Sequence, residues 1–108
     1  MPREPHIPDL RTYAFHQKAA DILRAHPERI AEVHAVLKHW LGMPGTQAEG
    51  WAGKWQQLID GLSTLEIADL ICKQGEEMDF YRKSSPFACL LSETERLEII
   101  RRFQYNHE

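Results

Sequence analysis

Apolar residues in this chain recur at intervals of three and four, the spacing that gathers side chains on one face of an α-helix. Phe15, Ala19, Ile22 and Leu23 make the first such face and predict a helix from about Asp9 to Ala25, with Asp9 as its cap. Ile30, Val33, Leu37, Trp40 and Leu41 make a second. Pro27 can open it, because a first helical position needs no N–H bond, and Gly42 stops it. Met43 to Gly50 reads as a loop, and Trp51, Trp55, Leu58, Ile59 and Leu62 mark a third helix.

Two capping boxes then divide the second half of the chain. Ser63 stands three residues before Glu66, and Ser92 three before Glu95. In such a box the hydroxyl accepts an orphan N–H, while the carboxylate reaches back to the N–H of the serine itself. The first box predicts a helix from Thr64 to about Gln74, with Leu65, Ile67, Ala68, Leu70 and Ile71 as its apolar residues. The second predicts a helix to about Tyr105, using Leu97, Ile99, Ile100 and Phe103. Between them Glu76 to Lys83 predicts a short helix that turns Met78 and Tyr81 inward, with Phe80 as a further inward candidate. No run alternates as a half-buried strand would. The pattern predicts an all-α fold, a compact bundle of five to six short helices forming one domain over residues 10–108. Residues 1–9 hold Pro2, Pro5 and Pro8 and predict an extended, proline-rich arm.

Composition narrows the function more than the fold. A chain of 108 residues with 43% hydrophobic content can bury a core without metal or disulfide support. Its net charge of −3 argues against general nucleic-acid binding, which needs a local excess of Lys and Arg, and suits a basic protein partner. Cys72 and Cys89 lie in apolar flanks and read as free thiols packed inside. No apolar run approaches the roughly 20 residues that span a bilayer, and the N-terminus has no signal-peptide core, so the expectation is a cytoplasmic protein without membrane contact.

Candidate chemistry is sparse. The six histidines, His6, His16, His26, His34, His39 and His107, include no pair three or four apart, the spacing at which two ligands on one helix point at one metal. His34, beside Ile30, Leu37 and Leu41, is the one expected to be half-buried. There is no Cys-x-x-Cys knuckle and no glycine-rich phosphate loop. Apolar neighbours would raise rather than lower the Cys89 pKa, which argues against a nucleophilic thiol. Glu76, Glu77 and Asp79 fit a solvated first turn facing the helix dipole. No catalytic residue, metal or cofactor is therefore expected. The three tryptophans read as core beneath the 43–50 loop, with one of them as a partner-facing anchor the alternative. Residues 63–83 could imitate a helix-turn-helix, but its second helix would carry Glu76, Glu77 and Asp79 toward phosphates, with only Arg82 and Lys83 to offset them. DNA binding is disfavoured on that ground.

One segment stands apart. Pro86 drives Ser85 out of helical conformation, so Phe87, Leu90 and Leu91 fall in a connection rather than on a regular face. They must fold back as a plug or form an exposed patch that a soluble protein tends to cover. The reading is a structured plug with one edge near the surface.

The series Tyr81-Arg82-x-Ser84-Ser85-Pro86-Phe87-Ala88-x-Leu90-Leu91-Ser92-x-x-Glu95-Arg96 resembles the C-terminal segment of small helical bacterial proteins encoded beside toxin genes, the antitoxins of toxin–antitoxin modules. A similar layout extends upstream, through Arg11-x-Tyr13-x-Phe15-His16, a helix ending at Trp40-Leu41 and a Trp-containing helix before Leu65. Cys89 departs from it, where a small residue such as glycine is expected. The resemblance implies a non-enzymatic protein that binds a cognate toxin and masks its active site. It places the partner contact at Arg82, Ser84, Pro86, Phe87, Leu90 and Leu91, together with the N-terminal arm. Two alternatives remain at this point: a small helix-turn-helix-like transcriptional regulator, and a phage-encoded inhibitor of a host defence system. A homodimer stays open.

Overall fold

The computed structural model describes residues 7–105, and among them the chain forms six α-helices and no strand. They are α1 (Ile7–Ala25), α2 (Ile30–Leu41), α3 (Gln47–Ile59), α4 (Thr64–Ile71), α5 (Glu76–Arg82) and α6 (Glu93–Tyr105). A short 3₁₀ turn, Pro27–Arg29, leads into α2, and a second, Phe87–Leu90, separates α5 from α6. The all-α single-domain expectation holds.

Both predicted capping boxes are present. Ser63 Oγ accepts the Glu66 N–H at 3.1 Å while Glu66 Oε1 accepts the Ser63 N–H at 2.9 Å. Ser92 and Glu95 repeat this at 3.1 and 2.8 Å. Each box satisfies two N–H groups that a helix start would otherwise leave orphaned. A third helix start has the same form. Thr46 caps α3 by accepting the Glu49 N–H, and Glu49 in turn accepts the Gly45 N–H, so α3 begins four residues before Trp51 and the expected 43–50 loop is shorter. Gly75, at φ 128°, occupies a backbone region closed to most side chains and allows the sharp turn from α4 into α5.

Helix α1 begins earlier than the expected Asp9. Ile7, Pro8 and Asp9 already belong to α1, and proline is tolerated in a first turn, whose N–H groups have no intrahelical acceptor. Residues 1–6 lie outside the described residues.

Helix α1 is the hub. It packs against α4, α5, α6 and the 87–90 turn, while α2 pairs with α3 and touches the same turn from the other side. Alanines at 14, 19 and 20 let the neighbours approach α1 closely. The core combines them with Leu23, Val33, Leu37, Trp55, Ile59, Ile67, Ile71, Met78, Phe87, Leu90, Leu91 and Ile99. Trp55 and Phe87 are its largest fully buried side chains and meet edge to face, ring centroids 5.3 Å apart. The tryptophans thus divide: Trp55 is core, whereas Trp40 and Trp51 are half-buried at its margin. Leu65, Phe80 and Leu97, placed on apolar faces by spacing alone, are instead 55%, 53% and 42% exposed.

Surface ion pairs tie the outer helices to α1. Arg24 reaches Asp69 of α4 at 2.9 Å and Lys18 reaches Glu95 of α6 at 3.4 Å. Solvent-exposed pairs of this kind contribute no more than about 1 kcal/mol each.

Candidate functional site

The residues singled out by the antitoxin-like pattern gather at one place inside the bundle. On α1, the His16 ring is 4% exposed. Its Nδ1 lies 2.7 Å from the Thr12 carbonyl oxygen, which can only accept, so Nδ1 carries the proton. Nε2 is then the acceptor, and the Ser85 hydroxyl donates to it at 2.6 Å. Ser85 Oγ also accepts the Phe87 N–H at 3.1 Å. One serine thereby locks α1 to the segment that precedes the 87–90 turn. Burial pushes the His16 pKa from 6.5 down to about 4; the hydrogen bond to Thr12 opposes the shift and the nearby Arg82 charge adds to it. His16 is neutral at pH 7.

Arg82 forms the second half of the junction. Its guanidinium donates to the Ile71 and Lys73 carbonyls at 3.0 and 2.7 Å and to Asp79 Oδ1 at 2.6 Å. The charge also stacks over the Tyr13 ring, 4.9 Å from its centroid. Tyr13 OH donates to the Cys72 carbonyl at 3.0 Å. Carbonyls at the C-terminal end of α4, which no helical N–H can reach, are satisfied by these two side chains. Trp55 Nε1 donates to the Ser84 carbonyl at 2.9 Å, so α3 fastens the same segment from the far side. Among the described residues no buried side-chain nitrogen or oxygen lacks a partner.

The 87–90 turn closes the gap between α1 and α2. Phe87, Leu90 and Leu91 are 0%, 1% and 5% exposed. Arginines from two helices hold its carbonyls: Arg29 donates to Leu90 O at 3.2 Å and Arg96 to Ala88 O at 2.7 Å.

The structure places the expected contact residues in this junction. Arg82, Pro86, Phe87, Leu90 and Leu91 are buried, and Ser84 is half-buried with its carbonyl engaged by Trp55. Phe87, Leu90 and Leu91 are a structured plug enclosed by the surrounding helices. Arg82 is equally closed to a phosphate, which leaves Lys83 as the exposed one of the two cations that a helix-turn-helix use of α5 would rely on. The histidines are exchanged as well: His34 is exposed, and among the described residues His16 is the buried one. The Phe15-His16-x-x-Ala19-Ala20 run, with small residues one turn on, was the only sequence signal that His16 faces a neighbouring element.

Cys72 and Cys89 are free and half-buried, and burial raises the pKa of both thiols. Among the described residues no group of three or more His, Cys, Asp or Glu side chains could hold a metal ion, and no helix is long and apolar enough to cross a membrane. No family model matches the chain, and no match was found among curated proteins or solved structures.

Proposed function

We infer that the chain is a protein-binding module without chemistry of its own, an antitoxin that neutralises a cognate toxin by covering its active site. The observation that carries this reading is the internal closure of His16, Ser85 and Arg82. Ser85 has the hydrogen bond to a histidine that nucleophilic catalysis would use, yet its oxygen accepts a backbone N–H and the histidine is sealed at 4% exposure. Residues that share the antitoxin-like pattern therefore support the scaffold, and recognition falls to exposed side chains. Leu65, Phe80 and Leu97 are the most exposed of the large apolar ones. A net charge of −3 would speed encounter with a basic toxin through long-range attraction.

Co-expression with the product of the neighbouring open reading frame tests this. The expected result is a complex that co-purifies and a host that recovers growth lost to the neighbour alone. A neighbour that neither co-purifies nor loses toxicity would overturn the reading.

A further inference from the structure

A groove of about 500 Å³ lies between α1 and α6, bordered by Cys72 at the end of α4. Its walls follow helical spacing. Ala14, Lys18 and Asp21 line it from α1 at intervals of four and three, and Glu95, Glu98 and Arg102 line it from α6 at intervals of three and four. Ala14 and Ile99 are buried and, with the half-buried Cys72, give the groove an apolar floor. Six charged side chains surround that floor, three of each sign. Four of them are matched: Lys18 reaches Glu95 at 3.4 Å, and Arg24 reaches Asp21 at 3.5 Å. The other two, Glu98 and Arg102, are exposed and have no ion-pair partner among the described residues. They stand one turn apart with the carboxylate first, the order in which such a pair ordinarily closes on itself. Here Arg102 instead lies over the Phe103 ring, 5.8 Å from its centroid.

We propose that this groove binds a free α-amino acid with an aliphatic side chain, its ammonium on Glu98, its carboxylate on Arg102 and its side chain over Ala14 and Ile99. Charge balance decides the class of ligand. The lining is neutral as a whole, so a simple anion would meet carboxylates and a simple cation would meet arginines. A molecule of both signs meets neither obstacle. Spacing then decides among zwitterions. Side chains four apart on a helix have Cβ atoms about 5–6 Å apart. An α-amino acid carries both charged groups on one carbon, so a single molecule can engage the two side chains together. A guanidinium also grips a carboxylate through two parallel hydrogen bonds, which orients the ligand. The apolar floor favours an aliphatic substituent over a polar one, which would lose water there without a partner. The proposal goes beyond the antitoxin reading and stands without it, since its test needs no toxin.

Titration of the full ¹⁵N-labelled chain with L-leucine, followed by amide chemical shifts, tests this. Saturable shifts are expected in α1 and α6 around Ala14 and Ile99, with a Kd on the order of a millimolar for so small a ligand in an open groove. N-acetyl-leucine lacks the ammonium and leucinamide lacks the carboxylate. Each leaves one protein charge unmatched and should bind at least about tenfold more weakly. Glu98→Gln and Arg102→Gln should each weaken leucine to a similar degree. Both positions are on the surface, and an unchanged far-UV circular dichroism spectrum verifies the fold of each variant. Leucine that gives no saturable shift overturns the proposal, as does leucine that binds elsewhere on the chain. Derivatives that bind as tightly as leucine, or variants that bind it like the wild type, overturn it too.

Discussion

Ser85 donates its hydroxyl proton to His16 Nε2 at 2.6 Å, across 69 residues of chain. The pair joins the first helix to the turn that fills the core, and both groups are otherwise committed to backbone partners. Ser85→Ala would leave the imidazole nitrogen and the Phe87 N–H unpaired away from water. The expected loss is about 1–3 kcal/mol, seen in urea denaturation as a lower midpoint with an unchanged slope.

The same histidine gives stability a pH dependence of known sign. Unfolded, His16 takes up its proton near 6.5; folded, only near 4. Between these values the unfolded chain binds more protons, so stability is full above pH 6.5 and declines as the pH falls to about 4. At 1.36 kcal/mol per pH unit the penalty reaches roughly 3 kcal/mol. The exposed carboxylates held below their usual range act in the same direction at still lower pH, and a variant shares them. Stability profiles of wild type and His16→Gln should therefore diverge in slope between pH 7 and pH 4, the wild type losing more.

Arg82 is a structural cation. Arg82→Ala would strand the Ile71 and Lys73 carbonyls and leave Asp79 without its partner, at a cost of about 3 kcal/mol. Arg82→Lys should recover only part of this, because an ammonium lacks the planar fork that reaches three acceptors at once. Thermal unfolding should place Arg82→Lys below the wild type and Arg82→Ala below both.

Phe87 and Phe80 are one residue type in opposite settings. Phe87→Ala empties a fully buried site beside Trp55 and should cost about 3–5 kcal/mol. Phe80→Ala removes a ring that is 53% exposed and should change stability by no more than about 1 kcal/mol. Chemical denaturation measures both.

The two thiols should behave as hindered groups. Burial raises the pKa of Cys72 and of Cys89, which lowers the thiolate fraction at any given pH. Alkylation by iodoacetamide at pH 8 should be slower in the folded chain than in the same chain in urea.

What could be read from the sequence was local. Ser63–Glu66 and Ser92–Glu95 announced two helix starts because each box spans only four residues, and Thr46–Glu49 would have announced a third. Pro86 announced the break before the plug. Phe80, Leu65 and Leu97 misled because helical spacing says which residues share a face, not whether a neighbouring element covers it. The His16–Ser85 and Arg82–Ile71 links were hidden for another reason. They depend on where α1, α4 and α5 come to rest, and a histidine on α1 looks the same in sequence whether it faces water or a serine.

The hub position of α1 has a consequence for how the chain folds. The residues that complete its buried face, Ile67, Ile71, Phe87, Leu90 and Ile99, are all distant from it in sequence. Helix α1 therefore gains its lasting mates only after loops of up to some seventy residues have closed, and the entropy of that closure must be met before its apolar side is hidden from water. Any opening of the bundle that frees α6 would bare a greasy strip of α1 for proteases and chaperones to find.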